Sequence, residues 1–296
     1  MSRVIVVGDL VTDVLVRTAD PLSPGSDTMA KIIQRGGGAG ANTACWLAEC
    51  GVDVALVARV GCDEVGRART LELFGANVEA VVSIDHDTLT GTVVVLVGVD
   101  GERTMLSDRG ASLRLSVEDV DSRVFEPGAH LHLSGYVLLD KRSRDAALYA
   151  LESARSQGMT VSVDAASAVP LTVVGAEAFL SWTEGVDLVL ANTDEARVLT
   201  ECADATRAAT ALATNYRIAV VKDGAAGAVW ASAGTIRHCP AEPVQVVDTT
   251  GAGDAFAAGL LADWLTPGST PDSALVAGAA CAARAVMIPG GRPIDR

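Results

Sequence analysis

The stretch from Asp248 to Phe256 reads Asp-Thr-Thr-Gly-Ala-Gly-Asp-Ala-Phe, a turn almost free of side chains with a carboxylate just beyond it. Ala255, Phe256, Gly259, Leu260 and Trp264 follow at helical spacing, and Val244, Val246 and Val247 before the turn read as a strand end. A bare turn that opens a helix aims the amides of Gly251, Ala252 and Gly253 at one spot, where the helix dipole is positive. Such a cradle suits an anion that gains charge during a reaction, and Asp254 beside it can accept a proton from an attacking hydroxyl. Cradle and base together are what phosphoryl transfer to an alcohol needs. The plainer reading of Asp254 is a first-turn carboxylate that stabilises the dipole by about 0.3–1 kcal/mol.

A second bare stretch, Gly36-Gly37-Gly38-Ala39-Gly40-Ala41-Asn42, lets a ligand lie on backbone while Asn42 offers a donor and an acceptor to hydroxyls. Two other readings stay open here: a turn with Asn42 capping the next helix, and a loose dinucleotide fingerprint, Gly36-x-Gly38-x-x-Ala41. No Gly-x-x-x-x-Gly-Lys-Ser/Thr loop occurs in the sequence, which removes the common nucleotide triphosphatases. Asn192 and Glu195 have the spacing of a helix N-cap and its reciprocal glutamate. His130 and His132 share one strand face without the carboxylates of a metal cluster, and His86 and His238 lie far apart.

Short apolar strands alternating with helices must position these groups. Strands are expected at Val4–Val7, Val54–Val57, Leu131–Leu133, Val161–Asp164, Asp187–Ala191 and Ile218–Lys222. Helices are expected at Asn42–Cys50, Val65–Phe74, Arg144–Gln157 and Ala205–Thr214, several closed by glycine. That alternation implies an α/β fold with a mainly parallel sheet covered on both faces. Residues 11–34 and 89–108 break the pattern. Their strand-like pieces (Val14–Arg17, Thr92–Val99, Arg103–Leu106), joined by turns such as Asp100-Gly101, suggest a small antiparallel lid. Hairpin strands at Ala228–Ala231 and Thr235–His238 precede the key turn. One domain spanning residues 1–296 is expected.

Taken in order, Gly8-Asp9, Gly37-Gly38-Ala39-Gly40-Ala41-Asn42-x-Ala44, Ala58-Arg59-Val60-Gly61-x-Asp63-x-x-Gly66, Ser134-Gly135-Tyr136, Asn192-x-x-Glu195, Gly224-x-x-Gly227 and Asp248 to Phe256 resemble the ribokinase-like (PfkB) carbohydrate kinases. The match spans nearly the whole chain. It implies a three-layer α/β/α fold with a β lid and transfer of the γ-phosphate of ATP to a hydroxyl of a sugar or sugar-like acceptor. Asp254 would be the base, with Gly251, Ala252 and Gly253 holding the moving phosphoryl. Asp13, Gly38 and Asn42 match positions that hold sugar hydroxyls. Asn192 and Glu195 match an element that positions magnesium and phosphate, mostly through water. Gly224 and Gly227 match the nucleotide loop, where Lys222 either touches a phosphate or faces solvent. Asp248 and Thr250 match positions that bind a monovalent cation in some members, although Val286 to Gly291 departs from the usual sequence there, so potassium activation stays open. Arg103 and Arg109 either meet a carboxylate or phosphate on the acceptor, as in ketodeoxygluconate kinases, or cover the lid.

Composition narrows the partners. A formal charge of −14 and only 4% aromatic residues argue against nucleic-acid and anionic-membrane surfaces. Any phosphate site must therefore gather positive potential locally. The six cysteines lack zinc or disulfide spacing and read as small buried hydrophobes of a reducing cytosol. With no signal-like leader and no apolar run of membrane length, the expected location is cytoplasmic. The family suggests a homodimer formed through the lid. The acceptor stays open among sugars, ketodeoxygluconate and nucleosides such as adenosine or pseudouridine. Two readings of another class are a nicotinamide-dependent oxidoreductase resting on Gly36 to Ala41 and a non-catalytic sugar-binding regulator.

Overall fold

The computed structural model describes residues 2–98 and 103–293; the Asp100-Gly101 turn and the side chain of Arg103 lie outside them. The strands in chain order are β1 (Val4–Val7), β2 (Val11–Thr18), β3 (Ala30–Gly37), β4 (Val54–Gly61), β5 (Glu79–Asp85), β6 (Thr90–Val97), β7 (Arg103–Gly110), β8 (His130–Ser134), β9 (Thr160–Asp164), β10 (Leu188–Asn192), β11 (Ile218–Lys222), β12 (Ala228–Ser232) and β13 (Thr235–Cys239). Nine of them form one sheet in the order β13-β12-β11-β10-β9-β8-β1-β4-β5. Every pairing from β11 to β5 is parallel; β12 runs against these strands, and β13, antiparallel to β12, returns to their direction.

Alternation along the strands divides the core in two. In β1, Ile5 and Val7 face one apolar cluster with the helices Arg144–Ser156 and Ala205–Leu212, while Val4 and Val6 face another. The second cluster packs the helices Ala39–Glu49, Ala252–Trp264 and Pro271–Val286 on the opposite side. Both faces are thus covered, which is why β1, β4 and β11 read as largely apolar runs, whereas β8 and β9 alternate and place His130, His132 and Ser162 on one buried face.

The remaining four strands make a small sheet, β3-β2-β6-β7. Its outer pairs are antiparallel, as the sequence suggests, but β2 and β6 run parallel because two hairpins meet side by side in the same direction. Val11, Leu15, Val93 and Val95 give it a core of its own.

One element differs outright. Val244 to Val247 forms no strand: Val246 and Val247 are exposed, and the backbone bonds elsewhere. The Val247 N–H donates to Val286 O (2.7 Å) at the end of the last helix, and Val247 O accepts from Arg17 Nη2 (3.0 Å) of β2. A cluster of β-branched residues favours extension, but extension without a neighbouring strand is only a connection.

Candidate active site

Because the strands run parallel, their C-terminal ends share one edge, and the helices that follow point their N-termini toward it. That edge gathers Asp9 beyond β1, Ser134 ending β8, Asp164 ending β9, Asn192 ending β10 and Lys222 ending β11. The small sheet contributes Asp13 from β2 and Arg109 from β7.

Gly251 caps the Ala252–Trp264 helix in the left-handed region (φ +73°), and a Cβ there would collide with the Gly291 backbone. Asp254 is the third residue of that helix, half-buried on its first turn. Its Oδ2 accepts from Asn42 Nδ2 at 2.9 Å. Burial nevertheless pushes the carboxyl up to about 8, since the Asn42 bond and the Lys222 charge only partly offset desolvation and the Asp164 and Asp9 charges. Of the three amides expected to form a cradle, that of Ala252 already has a backbone partner, donating to Thr249 O (3.3 Å).

Lys222 neither faces solvent nor stands alone. Its Nζ pairs with Asp164 Oδ2 at 2.6 Å and lies 3.2 Å from where a Gly253 Cβ would stand. Burial works against the charge, but Asp164 and Glu195 hold the ammonium above its ordinary value. A fixed cation thus sits directly against the bare turn, the local positive potential that a chain of net charge −14 must supply for an anion.

On the other side of Asp254 lie the groups expected to meet an acceptor. Asp13 is buried, which raises its carboxyl to about 6 despite the nearby Arg292 charge. Gly38 caps the Ala39–Glu49 helix, and its carbonyl accepts from Asn42 N (2.8 Å). Asn42 lies within that helix and does not cap it. Arg109 does not cover the outside of the small sheet: its Nη1 pairs with buried Asp9 at 2.6 Å, and its guanidinium stacks 3.4 Å above the Tyr136 ring. The stretch from Gly36 begins inside β3 of the small sheet, so it is not the first strand-to-helix turn of the parallel sheet that a dinucleotide fingerprint requires.

Asn192 and Glu195 form the reciprocal cap that their spacing suggests: Glu195 N donates to Asn192 Oδ1 (2.9 Å), and Asn192 N donates to Glu195 Oε2 (2.8 Å). Burial and the neighbouring Asp164 raise the Glu195 carboxyl to about 7. Asp248 ties two loops together, accepting from Thr250 N (2.9 Å) and from Gly290 N (3.0 Å). Gly224 to Gly227 make an exposed turn after β11, closed by Asp223 N donating to Gly227 O (2.7 Å). His130 and His132 are buried in β8 and bonded to Ser162 Oγ at 2.7 and 2.8 Å. Among the cysteines, Cys45 and Cys281 are buried, but Cys62 is exposed, contrary to the expectation that they are all core residues.

Four residues at the site had no assigned role in the sequence. Asp9 and Tyr136 stood inside recognised landmarks, so the signal was there. Asp164 looked like an ordinary strand end. Arg292 sits after the Gly290-Gly291 pair, and its Nη2 donates to Gly37 O (2.7 Å) and its Nε to Asn42 Oδ1 (3.3 Å). Nothing local in the sequence marks it.

Residues 1–294 match the family model described as pfkB family carbohydrate kinase. An ATP-dependent ribose-1-phosphate kinase of Halopiger xanaduensis is 33% identical over 99% of this chain and 94% of its own length. Adenosine kinase from Sinorhizobium meliloti superimposes with a TM-score of 0.88 at 26% identity, covering 99% of this chain and 96% of that one. Fructokinase from Vibrio cholerae O395, solved with fructose, ADP and calcium ion bound, gives a TM-score of 0.83 at 27% identity, with 98% and 94% covered.

Proposed function

The chain belongs to the PfkB family of carbohydrate kinases, ATP-dependent phosphotransferases with a hydroxyl group as acceptor, and we propose that Asp254 is the base of that transfer. The observation that carries the assignment is a carboxylate raised to about 8 on the first turn of a helix whose opening turn is bare and backed by Lys222. A base poised near neutrality is what proton abstraction from an alcohol requires. In the reaction, the acceptor oxygen attacks the γ-phosphorus and its proton passes to Asp254. The bond from that phosphorus to the β,γ-bridging oxygen breaks, and ADP leaves. The Gly251 and Gly253 amides and the Lys222 ammonium stabilise the charge on the transferring group.

ATP is the substrate whose triphosphate would rest against the bare turn, where a side chain at Gly253 would stand between it and Lys222. Its nucleoside end would rest near the exposed Gly224 to Gly227 turn. Magnesium in kinase sites keeps waters and phosphate oxygens as ligands, so Asn192 and Glu195 would reach it through water. Asp248 and Thr250, at the junction of two loops, are where a monovalent cation such as potassium would act. Asp13, Gly38, Asn42 and Arg109 form the acceptor side. The similar proteins act on ribose 1-phosphate, adenosine and fructose by name, which supports a sugar or nucleoside hydroxyl as the acceptor group here. Closure of the small sheet over the acceptor would exclude water as a competing nucleophile. Its exposed Ile32, Met105 and Leu106 suit a second copy of the chain, giving a cytoplasmic homodimer.

The test is ATP consumption with magnesium over a panel of sugars, sugar derivatives and nucleosides, with and without potassium. At least one acceptor should stimulate ADP formation manyfold. If none does, the reading yields to a non-catalytic sugar-binding protein; reduction of a nicotinamide would favour the oxidoreductase.

A further inference from the structure

Near Asp13 the molecule buries positive charge with N–H groups that its own carboxylates leave unbonded. Arg69, on the Glu64–Gly75 helix, is 13% exposed and pairs with Glu72 through Nη2 (2.8 Å). Its Nε and Nη1 are buried without a hydrogen-bond partner among the described residues, and so is Nε of Arg35, which stands opposite Asp13 in the β2–β3 register. Arg292 arrives from the C-terminal loop, 10% exposed, and its Nη1 reaches the other oxygen of Glu72 at 3.3 Å. Its guanidinium crosses directly over Gly36, where any Cβ would displace it.

Unbonded N–H groups on a buried cation are costly, more so than on a neutral group, unless something supplies acceptors. Glu72 supplies one carboxylate to two guanidinium groups. Asp13 is close enough that the Arg69 and Arg292 charges act on it or it on them, yet burial keeps its own carboxyl raised. The unmet donors of Arg69 and Arg35 can thus be met by an oxyanion from outside the chain, beside the charge of Arg292. Arg292 is also joined to the base by one side chain: it donates to Asn42 Oδ1, and Asn42 Nδ2 donates to Asp254. One amide group and two hydrogen bonds separate Arg292 from Asp254.

We propose that Arg69 and Arg292 form an anion seat in the acceptor pocket, so that the acceptor carries a phosphate ester or carboxylate at one end and offers its reacting hydroxyl to Asp254 at the other. This inference rests on the kinase reading of Asp254 but asserts more than it does. The guanidinium pair binds the oxyanion in a planar, bidentate manner that lysine would not reproduce.

The experiment compares kcat/KM of the full chain for a pentose 1-phosphate, the corresponding free pentose and an aldonic acid, with Arg69→Gln and Arg292→Gln alongside. The charged acceptor is expected to exceed the free sugar at least 100-fold, and each substitution should lower that ratio at least tenfold, mainly through KM. The ratio within one variant cancels any loss of folded protein. Preference for the pentose phosphate identifies a phosphate ester; preference for the aldonic acid identifies a carboxylate. A neutral sugar or nucleoside used as well as the charged acceptors, with the ratio unmoved in both variants, overturns the seat and leaves the kinase reading standing. Where no acceptor turns over, the kinase reading fails, and calorimetric titration with the pentose phosphate judges the seat separately: no binding, or binding unaltered by Arg69→Gln, overturns it.

Discussion

Strand β9 carries two polar environments two residues apart on one face of the sheet. Ser162, in its middle, bridges His130 and His132, and His130 Nδ1 reaches Thr160 Oγ1 at 2.9 Å. Asp164, at its end, meets Lys222, and beyond these lie Glu195 and Asp254. The first group is neutral and satisfied. Burial holds His130 well below its ordinary value and His132 at about 4, so both rings stay uncharged, and the Ser162 hydroxyl bonds a nitrogen of each. The second group keeps charge where the strands stop and helix N-termini begin. The same sheet face thus holds neutral, mutually bonded polar groups inside and ionisable ones at its edge, and the distinguishing feature is the presence of interacting charges, not burial.

Substitution separates the two most sharply in rate. Asp254→Asn is expected to lower kcat by about 10²–10⁴-fold, the usual contribution of a general base, while leaving the fold intact. Steady-state ADP formation checks it, and near-normal turnover would remove Asp254 from the mechanism. Ser162→Ala should do the reverse. It strands two imidazole nitrogens and costs roughly 1–3 kcal/mol of stability, with kcat/KM within about twofold of the parent. Denaturant titration and the same assay read both numbers, and a large rate loss at Ser162 would dissolve the contrast.

The legibility of the two groups in the sequence also differed. Asp254 and its bare turn were visible because cradle and base lie within four residues. The Asn192–Glu195 cap was visible for the same reason, being a local hydrogen-bond pattern. Lys222 was seen, but its partner was not: Asp164 is 58 residues away in sequence, and only the order of parallel strands brings them together. Arg292 was invisible, since it lies 250 residues beyond Asn42 in a loop without periodicity. Periodicity revealed the strands of the small sheet but not the parallel direction of β2 and β6. At Val244 to Val247, side-chain type was mistaken for pairing.

The pH profile sharpens the charged side of the comparison. A base held near 8 must lose its proton before it can accept one, so kcat/KM should rise through a limb near pH 8 in the free enzyme. Lys222→Met removes a charge that lowers the Asp254 pKa, and it should move this limb to higher pH. A limb left in place would mean that Lys222 acts on the phosphate alone. Arg69 lies farther off and does not figure among the main influences on Asp254, so Arg69→Gln should leave the limb where it is.

The smallest effect concerns stability, where the two groups pull in opposite directions. Between the ordinary carboxylate range and about 8, folded Asp254 holds a proton that the unfolded chain has released, so its contribution to stability falls as pH rises across that interval. The buried histidines do the opposite: from their ordinary value down to about 4 for His132, the unfolded chain binds protons that the folded one refuses, so stability is lost as pH falls. Asp254→Asn removes the first contribution and leaves the second. The variant should melt close to the parent near pH 4 and progressively above it toward pH 8, gaining stability where the parent holds a carboxyl ready to ionise. Thermal melts of both proteins over that range give the difference directly, free of every group they share. A difference that stays constant with pH would mean that Asp254 titrates alike in the folded and unfolded chain, and the strain that makes it a base near neutrality would not be there.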